Sequence, residues 1–256
     1  MSFLRDILRS KRSEIPALRR QAPNPDRAPK PRDLRRSLLE GPGSIALIAE
    51  IKLASPSEGP IRPDLDVVET ARAYQAAGAS AISVLTEKVY FKGSMDILEQ
   101  VRRVVSVPVI CKDFLIDPIQ IDEARAAGAD ACLLIVAALP GADLAAMIGH
   151  ARSLEMEALV EVHDEDELAR ALEADATVIG INSRDLRTFE VDLKTAERLL
   201  PQVPVGPVRV AESGMKGPMD VTRMRNAGAH AALVGTALVR AVSPGEELRR
   251  WIAACG

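Results

Sequence analysis

Aromatic side chains are scarce in this chain of 256 residues, which holds one Trp, two Tyr and four Phe. Cysteine is scarcer: Cys111, Cys132 and Cys255 are odd in number and show no C-x-x-C spacing, which argues against a disulfide framework and a zinc site and fits a reducing compartment. The three histidines, His150, His163 and His230, lack ligand spacing, and nothing supports a Ser/His/Asp triad. His150 in a helical window and His230 at a strand start read as surface or satisfied core residues, and His163, just beyond Glu161, is a weak candidate for a functional rim. No metal and no cofactor are expected. Long apolar runs are also missing. The stretch 131–140 is far too short to span a bilayer, and the opening MSFLRDILRSKRSE carries acidic residues and no continuous apolar segment, unlike a signal peptide. A cytoplasmic chain with no membrane partner is the expectation. With a net charge of −3 and no dense Lys/Arg run away from the N-terminus, a nucleic-acid surface is not expected, and the partner should be a small molecule. No feature fixes the oligomeric state, and a monomer is the default expectation.

What the chain has in quantity is apolar residues, 47% of the total, enough to fill one large core. From residue 44 onward, short Val/Ile/Leu-rich runs alternate eight times with amphipathic helical patterns. Strands are expected at 45–52, 80–86, 107–112, 130–136, 157–162, 177–182, 207–212 and 230–235. Helices are expected near 66–77, 94–105, 118–127, 142–154, 165–174, 192–200, 217–227 and 244–254, with Pro118, Pro218 and Pro244 near helix starts, where a missing N–H is tolerated. Strands that read as near-continuous apolar runs are buried on both faces, as in a parallel sheet. The segments AAGASAISVL (76–85), AAGADACLLI (126–135) and NAGAHAALVG (226–235) repeat one unit: a helix end, a Gly suited to the left-handed conformation, a small residue, then a strand. LEADATVIGI (172–181) is a fourth copy, with Asp175 departing from the pattern. Spacings of about fifty residues match a fourfold β-α-β-α repeat, which closes a single α/β domain of the (β/α)8, or TIM, barrel type. Residues 1–44, with Phe3, Leu4, Ile7 and Leu8 on one helical face and then a Pro/Arg-rich stretch, are expected to form a helical extension packed on the barrel of 45–256.

Charge enters this pattern at the strand ends. In IALIAEIKLASPSEGP (45–60) an apolar run turns to charge and then to a Pro/Gly/Ser loop. Alternation puts Glu50 and Lys52 on one face with Ala46 and Ile48. The same parity aims Lys112, Glu161 and Glu212 inward at the ends of strands 3, 5 and 7. Active sites of this barrel class lie at the carboxyl ends of the strands, and alternate strands share a layer, so two ammonium and three carboxylate groups should crowd one mouth. Such a cluster suits general acid/base chemistry, with a Lys shifted toward neutrality as proton donor and a Glu as base. A buried salt-bridge cluster is the structural alternative. Asn182 adds a neutral hydrogen-bonding group to the rim. ESGMKG (212–217) and LVGTAL (233–238) put Gly-containing turns after strands 7 and 8, where barrels of this type bind phosphate, and the donors would be backbone N–H groups near Ser213, Gly214, Gly235 and Thr236.

The ordered set AEIKLASPSEG (49–59), LTEKVYFKGSMDIL (85–98), VICKDFLIDPIQI (109–121), ADACLLIVAAL (129–139), LVEVHDEDEL (159–168), GINSRDLRTFEVDL (180–193) and AESGM (211–215) resembles indole-3-glycerol-phosphate synthase of tryptophan biosynthesis, over nearly all of 45–240. The resemblance implies a phosphorylated substrate, 1-(2-carboxyphenylamino)-1-deoxyribulose 5-phosphate, closed to an indole with loss of CO2 and water. It implies Lys112 as the general acid that polarises the ketone, with Lys52 on the substrate carboxylate or donating a proton for dehydration. Glu161 and Glu50 are implied as bases whose labour the sequence does not divide. It also implies Asn182 and Glu212 as orienting groups, Arg184 as a brace of the loop beyond strand 6, Ser55 in the substrate site, and Phe91 and Phe114 as walls for the anthranilate ring. Leu53 and Glu58 stand where family members often carry basic residues, and Thr236 where Ser is common; a Glu at 58 would oppose an approaching dianion. Other phosphosugar barrels, an isomerase or a Schiff-base aldolase using Lys112, and a non-catalytic metabolite-binding barrel are the competing readings.

Overall fold

A computed structural model describes residues 3–41 and 43–255. The outermost residues of the two expected segments, Met1, Ser2 and Gly256, and Pro42 at their junction, lie outside the described residues. Eight parallel strands close a barrel in sequence order: β1 (Ala46–Ile51), β2 (Ala81–Leu85), β3 (Val109–Lys112), β4 (Ala131–Ile135), β5 (Glu157–Val162), β6 (Val178–Asn182), β7 (Val208–Glu212) and β8 (Ala231–Val234), with β8 pairing back on β1. Each strand falls inside its expected run, because alternation buries one set of side chains within the barrel and the other beneath the helices. Ala46, Ile48, Ile110, Leu133, Leu159, Val210 and Leu233 fill the interior. Leu47, Ala49, Ile51, Ile82 and Val84 pack outward.

The helices start and stop on local chemistry. Before the barrel come α1 (Phe3–Gln21) and α2 (Leu34–Leu39), and around it α3 (Val67–Ala77), α4 (Met95–Val104), α5 (Pro118–Ala126), α6 (Asp143–Ser153), α7 (Glu165–Glu173), α8 (Lys194–Leu199), α9 (Pro218–Asn226), α10 (Thr236–Arg240) and α11 (Pro244–Cys255). Asp66, Ser94, Asp117 and Asp164 cap α3, α4, α5 and α7 by accepting first-turn N–H groups. In three of the repeated units the predicted left-handed position is Gly78, Gly128 and Gly228; in the fourth Asp175 itself takes it, at φ +57°, which Asp tolerates better than most residues. The short α10, which follows the β8 turn directly, was not resolved as a separate element by sequence periodicity.

The N-terminal segment runs along the barrel from its mouth to its floor. Phe3 stacks edge-on against Tyr90, Phe114 and Phe189 at the mouth. Lys11, buried, pairs with Asp113 at 2.8 Å, and Arg19 with Asp117 at 2.8 Å. Further on, the Arg32 backbone N–H donates to the buried Asp130 at 2.8 Å, and Ser37 bonds the Ser80 carbonyl. Leu34 and Leu38 join the apolar cluster that fills the barrel. The proline-rich part between the helices holds one 3-10 turn, Pro25–Arg27. No described helix is long and apolar enough to cross a membrane.

Candidate active site at the carboxyl ends of the strands

A cavity of about 500 Å³ opens at the carboxyl ends of the strands. Glu50, Lys52, Lys112, Glu161 and Glu212 all line it, as strand parity requires. Lys112 Nζ lies between two carboxylates, donating to Glu212 Oε2 at 2.9 Å and to Glu161 Oε2 at 3.4 Å. Lys52 Nζ is 2.9 Å from Glu50 Oε1. The three glutamates are almost fully buried, and the two lysines keep a small exposed fraction toward the cavity. Backbone space for this crowding comes from glycine. A Cβ on Gly180 would drive into Glu212 Oε1, and a Cβ on Gly235 would drive into Glu50 Oε1.

The remaining residues singled out in the sequence line the same cavity: Ser55, Phe91, Phe114, Asn182, Arg184, Ser213, Gly214, Gly235 and Thr236. Asn182 Oδ1 accepts the Arg184 N–H at 2.9 Å, and Arg184 reaches across its loop to the Phe189 carbonyl at 3.1 Å. Ser213 and Gly214 both take positive φ, +63° and +87°, which turns the chain sharply after β7. Glu58 does line the cavity, and its pairing with Arg240 of α10 at 3.3 Å offsets part of the charge that would oppose an anion.

Sequence reasoning missed several neighbours. Phe3 and Phe189 join Phe91 and Phe114 on one aromatic side of the cavity, so this aromatic-poor chain gathers all four of its Phe at one rim. Glu87 holds the β2 loop by accepting the N–H groups of Val89, Tyr90 and Phe91 at 2.9, 2.7 and 3.1 Å. Asp113 receives Lys11 and the Thr86 hydroxyl, the latter at 2.9 Å, on the outer side of β3. His163, the weak candidate, lies 3.3 Å from Glu161 Oε1 through Nε2. Here a signal existed, since residues 161 and 163 are two apart and share a strand face. His150 pairs with Asp122 and His230 bonds the Arg209 backbone, as structural histidines.

The electrostatics overturn one expectation. Burial does press the Lys112 ammonium toward neutrality, but Glu212, Glu161 and Glu50 outweigh it and hold the group above its ordinary value. Lys112 is therefore a loaded proton donor at neutral pH, not a neutral amine. Burial pushes both flanking carboxyls up. Against this, Lys112, His163 and Asn182 pull Glu161 below the usual carboxylate range, whereas Glu212, with Lys112 alone and Glu161 nearby, stays above it. Burial opposes the His163 imidazolium, yet hydrogen bonding and charge from Glu161 and Glu167 raise it to about 10.

A closed eight-stranded barrel whose mouth holds a protonated lysine between carboxylates, aromatic walls on one side and glycine turns on the other, has the build of a (β/α)8 enzyme for acid/base chemistry on a small ligand. A solved thiamine phosphate pyrophosphorylase from Pyrococcus furiosus shares the fold with a TM-score of 0.63 at 16% identity, over 83% of this chain and 96% of that one. The family model for indole-3-glycerol phosphate synthase matches residues 4–251, and the chain belongs to that family. Among its relatives, the indole-3-glycerol phosphate synthase of Mycobacteroides abscessus is 52% identical over 85% of this chain and 79% of its own length. That of Chlorobium phaeovibrioides is 47% identical over 93% of this chain and 95% of its own.

Proposed function

We propose that the chain closes 1-(2-carboxyphenylamino)-1-deoxyribulose 5-phosphate to indole-3-glycerol phosphate, with loss of CO2 and water. The observation that carries this is the position of Lys112 Nζ, bridging Glu161 and Glu212 at the bottom of a cavity walled by Phe91 and Phe114. The anthranilate ring lies against that wall, and the phosphate lies at the turns of Ser213, Gly214, Gly235 and Thr236. The substrate ketone then sits over the lysines. As the ring carbon attacks the ketone, negative charge grows on its oxygen, and an alkoxide is basic enough to take a proton even from an ammonium stabilised by carboxylates. Lys112 supplies that proton. Loss of CO2 restores the ring, and Lys52, beside Glu50, protonates the departing hydroxyl while Glu50 takes the carbon-bound proton. Glu161 keeps Lys112 loaded, and Asn182, Glu212, Arg184 and Ser55 orient the substrate.

A Schiff-base aldolase needs a neutral amine, and the carboxylates around Lys112 disfavour one. A silent binding barrel has no use for two desolvated lysines held in acid/base pairs. Three free, buried cysteines suit a reducing compartment, and we take the enzyme to act in the cytoplasm on a dissolved substrate, without nucleic acid or membrane, and as a monomer. Incubation with the carboxyphenylamino substrate, followed by indole fluorescence, tests the reaction. Borohydride trapping of a covalent adduct with a keto-phosphate, together with no indole, would favour the aldolase.

A further inference from the structure

The reaction proposed above takes up one proton per turnover, so Lys112, once it has given its proton to the ketone oxygen, must be recharged. Two carboxyl groups reach its Nζ: Glu161 Oε2 at 3.4 Å and Glu212 Oε2 at 2.9 Å. They are not equivalent. Glu161 Oε1 and His163 Nε2 lie 3.3 Å apart, at ion-pair distance, and both are buried without a hydrogen-bond partner. Glu212 Oε1 is also buried without a hydrogen-bond partner and lies against Gly180, and among the described residues no cation other than Lys112 pairs with Glu212.

The far side of the imidazole fixes its state. His163 Nδ1 lies 2.9 Å from Glu167 Oε2, which also accepts the His163 backbone N–H at 2.8 Å. A carboxylate only accepts, so Nδ1 carries a hydrogen and Nε2 is left to face Glu161. A proton on Nε2 then makes the ring a cation between two carboxylates. The charged groups around this chain are Glu161 and Glu167 on His163, Lys112 and His163 on Glu161, and Lys112, Glu161 and Glu50 on Glu212, with Arg187 and Asp164 outside Glu167.

We propose that His163 is a positioning residue: seated between Glu161 and Glu167, it holds Glu161 as a carboxylate, so that Glu212 is the carboxyl group that returns a proton to Lys112 after each ring closure. In that step the Glu212 O–H bond breaks and an N–H bond forms on the neutral Lys112 amine, leaving a carboxylate beside an ammonium. Glu212 regains its proton from solvent through the open mouth. The recharging step rests on the proposed reaction; the division of charge between the two carboxyls does not. The opposite shifts of Glu161 and Glu212 follow the same asymmetry.

Carboxyl-carbon NMR of protein labelled at glutamate Cδ, titrated without substrate, reads this directly. One buried carboxyl should titrate well above the ordinary Glu value of about 4.3, and its signal should vanish in Glu212→Gln. In His163→Leu the Glu161 signal, identified by its loss in Glu161→Gln, should titrate about 1–3 units higher than in the parent, the effect expected for one removed cation. His163→Gln, which keeps a hydrogen-bonding side chain without charge, should do the same. The proposal is overturned if the high-titrating carboxyl belongs to Glu161, or if both His163 variants leave the Glu161 titration unmoved. Absence of indole formation would instead overturn the reaction alone, because the NMR readout needs no turnover.

Discussion

Lys112 shares its proton-donating environment with Glu161 and Glu212, so these residues should act as one unit. Glu161→Gln removes part of the field that holds Lys112 protonated. In kcat/KM, the double variant Lys112→Met, Glu161→Gln should therefore lose much less than the sum of the two single losses expressed as ΔΔG‡; additive losses would mean independent sites. His163 gives a stability test. Its pKa is near 10 in the folded chain against about 6.5 unfolded, so its contribution is complete below about pH 6.5 and is lost as pH rises through 10. The stability gap between the parent and His163→Gln, from denaturant melts, should narrow by roughly 2–4 kcal/mol between acid and alkaline pH. A gap that stays constant across that range would show that the imidazole is not held as a cation.

At the scale of elements, the β8–α10 turn and α1 each make a claim. Sequence alone places Gly235 only at the phosphate, which predicts a higher KM when the position is filled. The structure adds that a side chain there meets the Glu50–Lys52 pair, so Gly235→Val should lower kcat as well as raise KM. An unchanged kcat with weakened phosphate inhibition would return the position to a binding role only. For α1, Lys11→Met leaves the buried Asp113 without its cation, at a cost of roughly 3–5 kcal/mol, and hydrogen exchange should show α1 loosening before the barrel does. Phe3→Ala should raise KM about ten- to hundredfold and change kcat less, because an apolar wall holds ground state and transition state alike. None of the α1 contacts was legible in the sequence. Phe3 meets Phe189 across most of the chain's length, and only the closed barrel brings the start of α1 and the loop after β6 together.

For the whole molecule, the strands and barrel helices were readable because parallel strands buried on both faces leave unbroken apolar runs, and capped helices punctuate them. Period-two alternation was enough to aim Glu50, Lys112, Glu161 and Glu212 at one mouth. It also separates Lys112 from its neighbour Asp113, which turns outward to Lys11. What alternation lacks is distance. The sign of the Lys112 shift depends on carboxyl groups lying 2.9 and 3.4 Å away, and the Glu58–Arg240 pair joins the loop after β1 to α10, an approach no local pattern records.

The central claim is that Lys112, held protonated between Glu161 and Glu212, is the acid that starts indole formation. Indole fluorescence from the purified chain and from Lys112→Met, both supplied with 1-(2-carboxyphenylamino)-1-deoxyribulose 5-phosphate, tests it most directly. The parent should form the fluorescent product, and the variant, equally folded by circular dichroism, should lose at least about 10²–10⁴-fold in kcat. A folded Lys112→Met variant that turns over near the parental rate would contradict the account.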